Sequence, residues 1–292
     1  HSSVSRELIP DLFKSFGAEI IKTGFSEKFI PVDTESVESP EKLAELVKQF
    51  GADCLVSADG DGDRPLLVSD KGLIIRGDII GIICAEFLKT ESLSIPVSCN
   101  TAAEKCGKFK IVNRTKIGSP YVIENINLMK KKYLYAAGYE ANGGFLLGSD
   151  VNINGKVLKA LPTRDAVLPL ISVLIYAKEK KIKVSELVDV LPARFTYSGL
   201  LKNFSNEKSS EIMEFFKIKP ESAANVFFEN MNEKFKSIDF TDGCRMTFES
   251  GRIIHLRPSG NAPEFRCYTE TESEQLSKIM NDKVLDIIKN QK

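Results

Sequence analysis

The chain has 292 residues, 42% hydrophobic and 27% charged, with 40 basic and 40 acidic side chains and no net charge. This is the make-up of an ordinary globular protein of about two or three domains. The even charge argues against a nucleic-acid partner or an anionic membrane, and no run approaches the roughly 20 apolar residues of a membrane span.

The first residues carry no signal-peptide pattern. His1 and His255 are the only histidines, which makes a histidine zinc site or a Ser-His-Asp triad improbable. The six cysteines (Cys54, Cys84, Cys99, Cys106, Cys244, Cys267) are scattered without a CxxC pair. They read as small buried hydrophobes in a reducing, cytoplasmic compartment.

Leu8, Ile9, Leu12, Phe13 and Phe16 lie at helical spacing and close on Gly17. Ala18 to Ile21 reads as a strand. Ser39-Pro40 opens a second helix, with Leu43, Leu46, Val47 and Phe50 as its apolar face and Gly51 as its stop. Ala52 to Ala58 reads as a short buried strand. Pro65 to Ile75 reads as a hairpin broken at Ser69-Asp70-Lys71-Gly72. Asp78 is expected to cap a third, almost wholly apolar helix. This helix-strand alternation predicts an α/β layer with a mostly parallel sheet.

A second α/β unit begins near Ser94, with strands at 95–99, 110–112 and 134–138 and a helix opened by Ser119-Pro120. A long apolar helix follows at about 165–180, and 183–197 reads as a linker. Strands near 243–248, 252–256 and 265–269 then precede a last helix, with Thr271 and Glu274 read as its capping box. The fold class predicted is α/β: two consecutive mixed-sheet α/β domains, 1–91 and 92–190, then a small α+β domain, 191–292.

Three loops carry the candidate chemistry. In Asp59-Gly60-Asp61-Gly62-Asp63-Arg64, alternate carboxylates on a tight turn are expected to converge. Three anionic oxygens in one place repel unless a cation sits among them, and a hard divalent ion such as Mg²⁺ suits all-oxygen ligands. Arg64 adds a phosphate-binding cation. An EF-hand loop begins similarly but needs Gly and Glu where Arg64 and Asp70 stand. An aspartyl-nucleophile phosphatase and a solvated acidic turn are further readings. In Gly138-Tyr139-Glu140-Ala141-Asn142-Gly143-Gly144, Glu140 and Asn142 suit the vicinal hydroxyls of a sugar. In Arg257-Pro258-Ser259-Gly260-Asn261-Ala262-Pro263, with Arg266 after it, hydroxyl, amide, backbone N–H groups and two arginines make an anion-binding turn.

In this order and spacing the three loops resemble those of the α-D-phosphohexomutases, the phosphomannomutase/phosphoglucomutase family. Thr115-Lys116-Ile117-Gly118 resembles the turn that helps bind substrate there, which brings Gly118 into the sugar site. The resemblance implies domains two to four of a four-domain enzyme. It implies Mg²⁺ on Asp59, Asp61 and Asp63 beside a phosphoserine, with Arg64 steadying phosphate and Glu140 and Asn142 gripping sugar hydroxyls. Arg257, Ser259, Gly260, Asn261 and Arg266 would hold the non-reacting phosphate. The implied reaction interconverts hexose 6-phosphate and hexose 1-phosphate, mannose before glucose, through a bisphosphorylated intermediate.

The family's serine loop, T/S-A-S-H-N-P, does not occur in these 292 residues. The expected partner is therefore an N-terminal domain of the same protein, and the chain alone is expected to be inactive. Asn142 and Asn261-Ala262 also depart from the family pattern. A non-catalytic sugar-phosphate-binding module and a metal-dependent phosphatase are the alternatives.

Overall fold

The computed structural model describes residues 3–35, 37–259 and 262–290. They form two compact units, divided between Pro192 and Ala193.

The first unit opens with α1 (Leu8–Ser15) and α2 (Pro40–Phe50). Pro40 occupies the first turn of α2, where no N–H is needed, and Gly51 ends the helix in the left-handed region at φ 58°. Ser39 makes no side-chain cap there. Residues 18–21 form no strand: a β-like run of four residues is held as a strand only when a neighbour pairs with it.

Next come β1 (Cys54–Ala58), β2 (Pro65–Ser69) and β3 (Ile74–Ile75), a three-stranded sheet. All its pairs are antiparallel, which corrects the mostly parallel sheet expected for this part. The physical reason is the length of the connection. Ala58 pairs with Pro65, so the acidic stretch between them is a hairpin turn; a parallel return needs a crossover of about a dozen residues.

The unit continues through α3 (Gly77–Phe87), β4 (Ser92–Pro96), α4 (Ala102–Lys105), β5 (Ile111–Thr115), α5 (Ser119–Met129), β6 (Ala136–Tyr139) and β7 (Phe145–Leu147). A small hairpin, β8 (Val151–Ile153) and β9 (Lys156–Leu158), leads to β10 (Leu161–Asp165), α6 (Val167–Lys180) and α7 (Val184–Asp189). Five strands form a mixed sheet in the order β10-β7-β6-β4-β5, parallel across β6-β4-β5 and antiparallel at β7 and β10. Helix α7 stands where the sequence reads as a linker, and the Glu186 carboxylate accepts the Lys183 N–H at its start.

Helix α3 is buried from Asp78 to Ala85. Each fully buried isoleucine there contributes roughly 1.5–3 kcal/mol. Asp78 is not the cap residue. Its carboxylate is fully buried and accepts the Asn100 N–H at 2.9 Å, with the Arg76 Nε 3.5 Å from its other oxygen. The main core runs through the unit from Ile9 and Phe13 through Ile80, Leu93 and Tyr139 to Leu170 and Leu187, and a smaller cluster holds Val122, Ile126, Ala136 and Leu146.

The second unit holds β11 (Phe195–Lys202), α8 (Asn206–Ile218), α9 (Pro220–Phe228), a 3₁₀ turn (Glu229–Met231), β12 (Phe235–Asp239), β13 (Cys244–Phe248), β14 (Ile253–Pro258), β15 (Glu264–Thr271) and α10 (Glu274–Lys289). Its five strands form a wholly antiparallel sheet, ordered β11-β15-β14-β13-β12. The core is aromatic, with Phe216, Phe227, Phe228 and Phe248 in a chain of ring contacts. Ser273 caps α10 by accepting the Leu276 N–H, while the Thr271 hydroxyl donates to the Ser273 carbonyl. The Thr271 and Glu274 box expected from sequence thus gives way, because Thr271 still belongs to β15.

All six cysteines are free thiols, and Cys84, Cys99, Cys244 and Cys267 are buried. Among the described residues no helix is long and apolar enough to cross a membrane.

Gly81 locks α3 onto β6, because a Cβ there would lie 2.5–2.8 Å from ring atoms of Tyr139. We expect Gly81→Val to destabilise the first unit by about 2 kcal/mol through overpacking, read as an earlier urea transition by circular dichroism. An unchanged transition would contradict this packing.

Candidate active site

The β1–β2 hairpin turn presents the acidic stretch. The carboxylate of Asp59 is buried and turned inward, where its Oδ1 accepts the N–H groups of Asp63 and Arg64, both at 3.1 Å. Asp61 is exposed, and Gly62 takes φ 77° to close the turn. The Arg64 Nε lies 3.7 Å from Asp59 Oδ2 and 3.9 Å from Asp63 Oδ1.

The convergence of the three carboxylates expected from sequence is not present: among the described residues no group of three His, Cys, Asp or Glu side chains is placed to hold a metal ion. The turn itself is the reason. It uses Asp59 as its internal hydrogen-bond acceptor, leaves Asp61 outward and lets Asp63 reach another cation. The donor set still fits a hard divalent ion in kind, since all three residues offer carboxylate oxygens. Asp63 Oδ1 is buried without a hydrogen-bond partner. Burial raises the Asp63 carboxyl above its ordinary range; Arg164 opposes that shift and Asp59 adds to it.

The second loop joins β6 to β7 and is pressed against the first hairpin. A Cβ at Gly143 would lie 2.7 Å from Pro65 Cγ and 2.9 Å from Gly77 Cα. Gly143 has φ 88°, so both space and backbone require glycine. Glu140 is buried and accepts the Ser119 hydroxyl at 2.8 Å. Ser119 begins α5 directly after Gly118, so the start of α5, one residue past the predicted turn, reaches the β6–β7 loop. Asn142 faces back into its own loop, where its Oδ1 accepts the Gly144 N–H at 3.0 Å. Glu140 and Asn142 therefore do not share one direction.

Arg164, on β10, ties the two loops together. Its guanidinium lies 2.6 Å from Asp63 Oδ2 and 3.9 Å from Glu140 Oε2. Nothing in the sequence marks this residue, because a lone arginine in a polar strand carries no motif. The structure thus brings Asp63, Glu140, Ser119 and Arg164 to one place.

The third loop lies in the second unit and joins β14 to β15. Arg257 and Arg266 are directly paired across these strands. Like charges placed opposite one another cost stability unless countered. Each has a carboxylate: Arg257 Nε donates to Asp242 Oδ1 at 2.9 Å, and Arg266 reaches Glu264 at 3.4 Å. The Ser259 N–H donates to the Glu264 carbonyl at 2.8 Å. Gly260 and Asn261, also expected in this loop, lie outside the described residues.

Asp242, which sequence reasoning passes over, sits in the β12–β13 turn and has a second tie. His255 Nε2 donates to its carbonyl oxygen at 2.6 Å, and the ring stacks on Tyr268. The Asp242-Gly243 turn was the available signal.

Two family models match: phosphoglucomutase/phosphomannomutase alpha/beta/alpha domain III over residues 76–195, and the phosphoglucomutase/phosphomannomutase C-terminal domain over 201–287. Together they cover well over half of the chain, which belongs to the phosphoglucomutase/phosphomannomutase family. A phosphomannomutase of Salmonella muenchen is 46% identical over 99% of the chain and 60% of its own length. A phosphomannomutase of Sinorhizobium fredii is 40% identical over 93% of the chain and 57% of its length. The chain thus spans well under two thirds of these relatives. A phosphoglucomutase/phosphomannomutase family protein of Burkholderia thailandensis shares the fold, with a TM-score of 0.72 at 18% identity over 99% of this chain and 58% of that one. The acidic turn precedes the first matched domain, which begins at residue 76.

Burial pushes the His255 imidazole down to about 4 from an ordinary 6.5. The folded value lies below the unfolded one, so the unfolded chain takes up the proton first. The stability tied to His255 is therefore fully present above about pH 6.5 and is lost as pH falls toward 4. We expect the second unit to lose about 2 kcal/mol between pH 7 and pH 5. Denaturant titrations at both pH values check this, and His255→Gln, which keeps an N–H for the Asp242 carbonyl, should flatten the slope.

Proposed function

We propose that the chain is the metal-, sugar- and phosphate-binding part of a phosphohexomutase that interconverts hexose 6-phosphate and hexose 1-phosphate, with mannose first and glucose second. The observation that carries this reading is the junction in the first unit. Asp63 and Glu140, 77 residues apart in sequence, share one guanidinium. A phosphoryl-transfer site needs its charge-neutralising groups beside the groups that orient the sugar.

In this reading Asp59, Asp61 and Asp63 hold Mg²⁺, which when bound offsets negative charge on the transferring phosphoryl group. Arg64 supplies a further cation for that group. Glu140, oriented by Ser119, accepts from sugar hydroxyls, and Asn142 and Gly118 border the same site. Arg257, Ser259 and Arg266, with Gly260 and Asn261, grip the distal phosphate. Two arginines placed opposite one another against their own repulsion are what an anion site requires. Binding energy from that distal end can be used at the reacting end. The phosphoryl donor implied by the family resemblance is a serine of an N-terminal domain, and the expected setting is the cytoplasm.

The test is a mutase assay on the full-length gene product with mannose and glucose phosphates and Mg²⁺. Turnover is expected, and Asp61→Asn should lower kcat by roughly a hundredfold or more while changing KM less. Arg257→Ala should raise KM. The 292-residue chain alone should bind hexose phosphate without turning it over. No turnover by the full-length product with any hexose or hexosamine phosphate would overturn the mutase reading; retained binding would then favour a sugar-phosphate-binding module.

A further inference from the structure

Arg164 belongs to neither loop, yet it holds both. Its stem runs along the sugar loop, where a Cβ at Gly144 would come within 3.0 Å of its Cγ and Cδ. The side chain is 27% exposed, so the stem is packed while the head keeps access to solvent. That head takes Asp63 Oδ2 at 2.6 Å, one oxygen of a carboxylate that a cation on the acidic turn would share.

A guanidinium and a divalent ion on one carboxylate repel each other, and each lowers the affinity of the site for the other. A guanidinium has five donors in a planar fork. Arg164 spends one nitrogen on Asp63 and turns the other toward Glu140 at 3.9 Å, beyond a hydrogen bond. It is therefore held mainly by Asp63.

We propose that Arg164 is an exchangeable cation of this site. It binds Asp63 until a divalent ion takes that carboxylate, and it then turns its donors to an anionic oxygen of the sugar phosphate. This deepens the metal reading of the acidic turn and rests on it.

The test uses Mn²⁺ as the probe and the whole 292-residue chain, followed by calorimetry. Arg164→Met keeps the packed stem and removes the charge. Mn²⁺ should bind it roughly tenfold more tightly than the unaltered chain, the scale on which a neighbouring charge shifts a carboxylate equilibrium. Mannose 6-phosphate, titrated with Mn²⁺ saturating, should bind the same variant several-fold more weakly. Arg164→Lys should leave Mn²⁺ affinity near that of the unaltered chain while still weakening the sugar phosphate, since the charge stays and the fork goes. Opposite signs in the two titrations are a pattern that a purely structural arginine would not produce. If Arg164→Met misfolds by circular dichroism, Arg164→Gln carries the same expectations.

Two failures are distinguishable. If Asp61→Asn abolishes Mn²⁺ binding but loss of the Arg164 charge does not tighten it, the exchange is overturned and the metal reading stands. If Mn²⁺ binds the Asp61→Asn variant as it binds the unaltered chain, the metal reading falls and the exchange with it.

Discussion

The first unit is arranged around a crowding of like charge. The β6–β7 loop is packed so closely on the β1–β2 hairpin and the start of α3 that neither Gly143 nor Gly77 has room for a side chain. That approach brings Glu140 near Asp63, with Asp59 and Asp61 on the same turn. Four carboxylates on two touching turns are stable only if cations are built in among them. Arg64 and Arg164 are those cations, one from the turn itself and one from the edge strand β10. Remove the backbone approach and Arg164 loses this task, while Arg64 still faces Asp59 and Asp63 on its own turn.

The second unit sets the opposite problem and solves it similarly. Arg257 and Arg266 face one another across β14 and β15, and each is held by its own carboxylate. Asp242 does more than neutralise Arg257: its carbonyl also accepts from His255, a buried ring stacked on Tyr268. The residue that pairs with Arg257 is thus also held through its backbone by β14. Close packing of Gly243 on Arg257 completes the arrangement, with a Cβ there only 3.1 Å from that of the arginine.

Much of the fold was legible because it rests on local rules. Proline in the first helical turn and glycine at the stop located α2, and Ser119-Pro120 located the start of α5. Of the five strands of the second unit, β13, β14 and β15 were legible, while β11 and β12 were not. What misled was context. Residues 18–21 have strand composition but pair with no strand among the described residues, residues 184–189 look like linker and form α7, and Thr271 looks like a cap while serving as the end of a strand. The chemistry was legible in the same measure. Motif residues on turns could be named, whereas Arg164 carries no pattern, and Ser119 and Asp242, marked only as a helix start and a turn, gain their partners from what the fold places beside them.

By itself, the sequence determined the residue types available to each loop: carboxylates and glycines on one turn, a glutamate and an amide on another, a serine and two arginines on a third. It did so because turn chemistry and side-chain chemistry are local. Tertiary structure alone decided how those groups face. It brought Ser119 to Glu140 and Asp242 to Arg257, and set Arg164 between two loops far apart in sequence. Direction and partnership depend on packing between distant segments, and no local pattern records them.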